Sequence, residues 1–348
     1  MASKNPQFDP ANGPVFSSSR FDWTVVLLSG WMIGGIHLDA WAHHRIAETL
    51  ESFFTPWHGV LYSGFLALAV YLVGVAVLNM RKGQTWRQAI PAGYEYAFLG
   101  IGLFGLGGVG DMLWHILFGI EVNVEALLSP THLLLALGGG LMVAGPLRAM
   151  WLRDEPQANW TAIISLAYLL SLLAFFTAYA NPLSEASQFF QGSRPADERL
   201  ASFTEGMGVS SILLYSGLMM AVVLLAARRW RLKLGSLTVL LGLSSLLTLV
   251  VHQLFWLWPV VLLAGLAADG LYAWLKPFPE STRGWQLFAA LAPMIFFALY
   301  FMALALNGGI WWRIHLWAGS IVMAGLLGWL LSFGFAAKSD ARALEPLQ

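Results

Sequence analysis

Asp39-Ala-Trp-Ala-His43, followed after a short spacer by Glu51-Ser-Phe-Phe-Thr55-Pro56-Trp57-His58, is one of two similar stretches in this chain. The other reads Asp111-Met-Leu-Trp-His115 and then Glu125-Ala-Leu-Leu-Ser129-Pro130-Thr131-His132. Both fit the pattern Asp-x3-His, spacer, Glu-x3-Ser/Thr-Pro-x-His, with a spacer two residues longer in the second copy. An internal repeat of this kind predicts that one local structure is built twice.

Each copy predicts a helical hairpin that gathers polar side chains at one end. Asp and His four residues apart lie on the same face of a helix, one turn apart. A hydroxyl residue followed by proline begins a helix, because the hydroxyl caps free N–H groups and proline needs no N–H in the first turn. His58 and His132 are therefore expected in the first turn of the second helix of each hairpin.

Imidazole and carboxylate groups gathered in this way are typical ligands of a transition metal. The predicted metal ligands are Asp39, His43 and His58 in the first copy and Asp111, His115 and His132 in the second. Helix capping, or a hydrogen bond to histidine without a metal, is the alternative role for each aspartate. A carboxylate placed in a bilayer costs roughly 2.5–3.5 kcal/mol, which makes it a functional candidate.

The sequence allows more than one role for the other histidines and acidic residues near the motifs. Glu51 and Glu125 precede helix starts, where a negative charge favours the helix dipole; they are also candidate ligands, outer-shell partners or catalytic proton carriers. His37 lies outside the repeat and is expected to be a hydrogen-bonded core residue. His252 and His315 come from separate parts of the chain, and the sequence leaves open whether they join a metal site.

Composition predicts an all-α, polytopic transmembrane helical bundle. Of 348 residues, 58% are hydrophobic and 11% are charged, whereas about a quarter of the residues in a soluble domain are charged. Apolar runs long enough to span a bilayer recur along the chain, and we expect about ten spans. The predicted spans are 22–44, 56–79, 93–118, 130–150, 159–180, 207–227, 234–254, 256–275, 285–306 and 310–335. Residues 1–155 would hold the two hairpins, with four transmembrane helices, and residues 156–348 about six more.

The distribution of Lys and Arg predicts the orientation in the membrane. Basic residues follow every second predicted span, which indicates a bacterial cytoplasmic (inner) membrane protein with both termini in the cytoplasm. All eight histidines then lie in or near the outer half of the membrane. Asp269 falls near the cytoplasmic end of its span and is expected to be solvated. A net charge of zero gives no indication of nucleic acid binding, and the absence of cysteine excludes disulfides and thiolate metal sites.

The first copy, from Asp39-x3-His43 to Phe54-Thr55-Pro56-Trp57-His58-Gly-Val-Leu-Tyr62, resembles the metal-site segment of the C subunit of copper membrane monooxygenases, the particulate methane and ammonia monooxygenase family. The resemblance implies that Asp39, His43 and His58 are copper ligands, and the second copy matches the same pattern. It covers about 25 residues per copy. This chain departs from the family in a longer spacing between the two histidines, in carrying the motif twice and in having more predicted spans. Its remainder is similar to bacterial polytopic membrane proteins.

These observations favour an integral membrane metalloprotein with an extracytoplasmic His/Asp site, a copper-dependent oxidase or monooxygenase-like enzyme. Zinc and iron are the alternative metals, because imidazole and carboxylate ligands suit all three. The partners expected are the lipid bilayer and a small or apolar substrate, and a homo- or hetero-oligomer is compatible with them. Two alternative functions are copper or zinc transport and delivery, and a structural accessory subunit. The sequence leaves open whether the sites are one dinuclear centre or two mononuclear ones.

Overall fold

A computed structural model describes residues 15–46, 54–119, 123–153, 155–278 and 281–335. The described residues form helices and turns and include no β-strand. The helices are Ser19–Ile46 (α1), Pro56–Arg81 (α2), Trp86–Ala89 (α3), Glu95–Phe118 (α4), Asn123–Leu128 (α5), Pro130–Val143 (α6), Gly145–Leu152 (α7), Trp160–Phe176 (α8), Glu198–Arg229 (α9), Ser236–Val251 (α10), Trp258–Leu275 (α11), Thr282–Leu306 (α12) and Ile314–Phe335 (α13). The predicted all-α class is confirmed.

Seven of the described helices are long and apolar enough to cross a membrane, and the number rises to nine if each of two bent helix pairs is one span. The seven are α1, α2, α4, α9, Phe255–Leu275 (which includes α11), α12 and α13. Helices of this kind indicate a multi-pass membrane protein in a lipid bilayer.

The predicted count of about ten spans is not confirmed, and the structure gives physical reasons. The span predicted at 130–150 is broken into α6 and α7, which meet at a 40° bend. Pro146 lies in the first turn of α7, and proline there removes one helical hydrogen bond and clashes with the preceding turn. Helix α10 has 16 residues, which corresponds to roughly 24 Å of helix against a hydrocarbon core of about 30 Å.

The chain forms two compact units. The first comprises residues up to Glu155 together with Asn159–Thr177 and Val250–Gln253. The second comprises Pro156–Ala158, Ala178–Leu249 and the residues from Leu254 onward. Both motifs belong to the first unit. The predicted division at residue 155 stays a prediction.

In the first unit, α1 packs along α2, and α4 packs along α6. Each pair approaches closely at a glycine. A Cβ atom at Gly64 of α2 would come within 2.8 Å of the Met32 Cα atom of α1, and one at Gly138 of α6 would come within 2.5 Å of the Phe104 backbone nitrogen of α4. Small residues allow such contact between membrane helices. The close approach brings an aspartate of one helix to a histidine of the next, while the predicted repetition of the whole hairpin stays a prediction.

A buried ion pair lies near the N-terminal end of α1, away from Asp39. The Asp22 carboxylate is 1% exposed and accepts hydrogen bonds from Arg153 at 2.7 Å, from the Tyr94 hydroxyl at 2.7 Å and from the Ser17 hydroxyl at 2.6 Å. Asp22 precedes Asp39 by 17 residues, which corresponds to roughly 25 Å of helix. Asp22 and Asp39 thus lie toward opposite ends of α1, and only Asp39 is followed four residues later by a histidine.

In the second unit, α12 packs against α11 and α13, and α9 against α13. Asp269 of α11 is 3% exposed, so the prediction that it is solvated is wrong. Its carboxylate accepts from the backbone N–H groups of Leu237 and Thr238, at 3.1 and 3.0 Å, and from the Thr238 hydroxyl at 2.6 Å. These N–H groups lie in the first turn of α10 and have no partner within the helix. Asp269 is therefore buried because it caps a neighbouring helix.

Candidate metal centre

The second helix of each motif begins as the Thr-Pro and Ser-Pro pairs predict. Thr55 caps α2 and accepts from the His58 backbone N–H at 3.1 Å, and Ser129 caps α6 and accepts from the His132 backbone N–H at 3.4 Å. Proline follows each cap in the first helical turn. His58 and His132 therefore lie in the first turn, where their side chains are directed back past the helix start.

The first ligand group consists of Asp39, His43 and His58. The Asp39 Oδ2 atom lies 3.8 Å from His43 Nε2 and 3.5 Å from His58 Nε2. Asp39 and His43 occupy one face of α1, and His58 reaches them from α2. Both separations are too long for strong hydrogen bonds. The two ring nitrogens therefore face the carboxylate without forming strong hydrogen bonds to it.

The second ligand group consists of Asp111, His115 and His132. The Asp111 Oδ1 atom lies 3.5 Å from His115 Nε2 on the same helix and 2.9 Å from His132 Nε2 on α6. It also accepts from the Thr131 hydroxyl at 3.2 Å. Asp111 is thus more tightly held than Asp39.

The spacing of ligand atoms in both groups fits a bound transition metal. Each residue of a group offers one ligand atom, and the three atoms lie within 4.8 Å of one another. Two ligand atoms that each lie about 2.0–2.1 Å from one ion, at tetrahedral angles, are roughly 3.3–3.4 Å apart. Three of the four N···O separations, at 3.5, 3.5 and 3.8 Å, lie slightly above this value. The fourth, at 2.9 Å, lies below it and needs only a small outward movement.

The Nδ1 atoms of three of the four ligand histidines form hydrogen bonds, while their Nε2 atoms face the aspartates. The Nδ1 atom of His115 donates to the Gly119 carbonyl at 3.3 Å, and that of His132 donates to the Ala126 carbonyl. The His58 Nδ1 atom is hydrogen-bonded to the Thr55 hydroxyl at 2.9 Å. Such second bonds orient metal-ligating histidines in metalloproteins.

The carbonyl partners have a chemical consequence for the second group. A carbonyl oxygen only accepts, so Nδ1 of His115 and of His132 is the donor in these two bonds. Nε2 of each ring then faces Asp111, and a divalent cation placed between them would be attracted to the carboxylate and to both ring nitrogens.

One carboxylate oxygen of the first ligand group takes no part in these contacts. The Asp39 Oδ1 atom is buried and has no hydrogen-bond partner among the residues that the structure describes. The motif position that carries Thr131 in the second copy is Trp57 in the first, which has no hydroxyl at the place from which Thr131 donates to its aspartate. A buried polar atom without a partner costs about 1–3 kcal/mol, which a bound cation would offset.

The two groups differ in how far each ligand is exposed. The side chains of His43 and His132 are 29% and 21% exposed, whereas those of His58 and His115 are 8% and 6% exposed. Each group therefore combines a buried histidine with a more open one. This arrangement leaves one side of each group uncovered by the part of the chain that the structure describes.

The remaining predicted residues divide into several cases. Glu51 lies outside the described residues, and its predicted proton-carrier role stays a prediction. Glu125 is exposed on α5 and is not one of the residues gathered around either aspartate. His37 is buried, donates from Nδ1 to the Ile33 carbonyl at 3.0 Å, and contacts the Ser171 hydroxyl through Nε2 at 3.3 Å. The expectation that His37 is a hydrogen-bonded core residue is confirmed.

The structure brings His252 to His44, with ring centroids 5.2 Å apart, and leaves His315 exposed in the first turn of α13. No sequence signal predicts the His44–His252 contact, because the two residues are about 200 positions apart. The two motif copies differ at the position of Thr131, where the first copy has Trp57. The structure shows that the Thr131 hydroxyl donates a hydrogen bond to Asp111.

Comparisons of the chain with family models, with curated proteins and with solved structures found no match.

Proposed function

We propose that this protein is a membrane metalloenzyme that holds copper in the two Asp/His/His ligand groups and oxidises a small or apolar substrate. The observation that carries the proposal is the gathering of three ligand atoms around each of two aspartates. Two imidazoles and one carboxylate leave coordination positions open, as catalytic rather than structural metal sites do.

Two features support copper over the alternatives zinc and iron. Nitrogen and oxygen donors suit all three metals, and copper is the strongest binder of the divalent series. The first motif also resembles the metal-site segment of the copper monooxygenase C subunit. A bound copper ion would supply one-electron chemistry, while His43, His58, His115 and His132 hold it and the apolar helices admit a substrate from the bilayer.

Metal analysis of detergent-purified protein tests the proposal. After copper loading and removal of loose metal, we expect about two ions per chain, one for each ligand group. The double variant His43→Ala/His115→Ala should lose most of this copper. The matched control His315→Ala removes an exposed histidine outside both groups and should retain it. Equal copper in the double variant and the unchanged protein would refute the ligand assignment.

A second measurement tests open coordination. Azide or cyanide added to the copper-loaded protein should change its absorption and electron paramagnetic resonance spectra, because the three protein ligands leave room for another. Spectra that do not respond would refute the catalytic proposal. Metal flux in vesicles that is lost in His58→Ala would favour transport instead.

We further propose a bacterial inner-membrane location with both termini in the cytoplasm and both ligand groups on the outer side, because basic residues follow every second predicted span. The absence of native cysteine allows single cysteines to report sidedness. A membrane-impermeant maleimide applied to intact cells should label Ser193→Cys and should not label Thr85→Cys. The reverse pattern would invert the orientation.

A further inference from the structure

The two ligand groups lie side by side in the first unit. The ring centroids of His43 and His58 are 5.7 Å apart, and those of His115 and His132 are 5.8 Å apart. Between the groups, His58 and His115 are separated by 6.5 Å, with their rings inclined at 66°. The ring-to-ring distance between the groups is thus little larger than the ring-to-ring distance within each group. The four imidazole rings follow one another as a continuous series.

Tyr62 lies where the two groups meet. It follows His58 by one turn of α2, and the two rings stack at 6.2 Å with an interplanar angle of 17°. The same tyrosine ring lies against Gly108 of α4, one turn before Asp111. A Cβ atom at Gly108 would come within 2.8 Å of the tyrosine Cε1 atom and 3.3 Å of its hydroxyl oxygen. Tyr62 therefore stacks on His58, a ligand of the first group, and also packs at Gly108 against α4, the helix that carries Asp111.

The hydroxyl end of Tyr62 is directed toward the acidic groups. Its oxygen is buried, and the carboxylates of Asp111 and Asp39 are both near enough to act on it electrostatically. The two carboxylates also interact with each other. Two negative charges close together in apolar surroundings repel one another, and cations placed between the ligand groups would remove this repulsion.

We propose that the two ligand groups form one dinuclear metal centre, in which Tyr62 hydrogen-bonds a small oxygen or nitrogen anion that bridges the two ions. The proposal rests on the proposed function, since it requires that both groups bind metal. Ions in two-metal sites are about 3.5–4 Å apart, which leaves room for one small anion to contact both. Four imidazoles and two carboxylates around two divalent ions leave two positive charges, which favour an anion such as hydroxide or azide at the bridge.

Electron paramagnetic resonance of protein with two bound Cu(II) ions per chain tests the dinuclear centre. We expect spin coupling to reduce the signal well below two spins per chain, and X-ray absorption to show a copper–copper vector at about 4 Å. In His132→Ala, which weakens one group, we expect about one copper and a full mononuclear signal.

The outcomes separate the two proposals. Two bound coppers with two full, uncoupled spins and no copper–copper vector would overturn the dinuclear centre and leave metal binding intact. Failure of the unchanged protein to bind copper would overturn the proposed function itself, and the dinuclear centre with it.

Tyr62→Phe tests the role of the hydroxyl, because phenylalanine keeps the ring that stacks on His58. We expect copper content and spin coupling to be retained, and the affinity for azide to fall about tenfold with the loss of one hydrogen bond. Tyr71→Phe, on the same helix two to three turns further along, is the matched control and should leave azide affinity unchanged. Equal azide affinity in Tyr62→Phe and the unchanged protein would remove Tyr62 from the centre.

Discussion

Asp39→Asn should stabilise the metal-free protein and abolish the stabilisation that metal binding to the first ligand group provides. The substitution preserves the shape of the side chain and removes its negative charge. In the unchanged protein, Asp39 Oδ1 is buried and has no hydrogen-bond partner among the described residues. The other oxygen faces His58 and His43 at 3.5 and 3.8 Å, beyond the range of a strong hydrogen bond.

The magnitude follows from these contacts. A buried polar atom without a partner costs about 1–3 kcal/mol, and more when the group is charged; because asparagine keeps the polar atoms and loses the charge, we expect the free energy of unfolding without metal to rise by about 1 kcal/mol. With free metal at about 100 times the dissociation constant, the unchanged protein gains about 2.7 kcal/mol per site. The variant should lack that gain at the first group. The order of stability should therefore reverse, or the difference disappear, when metal is added.

Unfolding in detergent, followed by tryptophan fluorescence with chelator and then with copper or zinc, measures both effects. The matched control is Asp269→Asn, because Asp269 is also buried but accepts three hydrogen bonds at the start of α10. That variant should lose about 1.5–3 kcal/mol, with or without metal. The reasoning would be refuted if Asp39→Asn destabilised the chelated protein as much as Asp269→Asn, or if its response to metal were unchanged.

Three further predictions concern single contacts. Thr131→Val removes the hydroxyl that donates to Asp111 and should weaken metal binding at the second group about 10-fold; calorimetric titration showing no change would contradict this role. Asp22→Asn breaks a buried ion pair and should lower the free energy of unfolding by about 3–5 kcal/mol. Unfolding in detergent measures this loss, and the copper content should not change. Tyr300→Phe leaves the buried Pro182 carbonyl without its 2.7 Å donor and should cost about 1–3 kcal/mol in the same assay.

The sequence predicted those parts of the candidate site that short-range geometry controls. His58 and His132 lie in the first helical turn because a hydroxyl cap and a proline act within three residues of them. Asp39 and His43 share a face because four residues make about one turn. The spans were harder to predict, because hydropathy records apolar composition and does not show where a proline breaks a helix, as at the junction of α6 and α7.

The misassigned Asp269 shows why burial of a charge was difficult to predict. Its position near the predicted end of a span suggested solvent, and the groups that it caps lie about thirty residues earlier in the chain. Long-range partners of this kind leave no local pattern in the sequence around the aspartate.

Sequence alone determined that the chain is helical and membrane-embedded and that it carries two short Asp/His motifs, because apolar run length and helical periodicity act between residues close together in the chain. Only the tertiary structure decided that the His58 and His115 rings lie 6.5 Å apart, that Tyr62 lies between the motifs and that one oxygen of Asp39 has no described partner. These features depend on how α1, α2, α4 and α6 approach one another. That approach is set by contacts between residues far apart in the sequence, such as the close passage at Gly138.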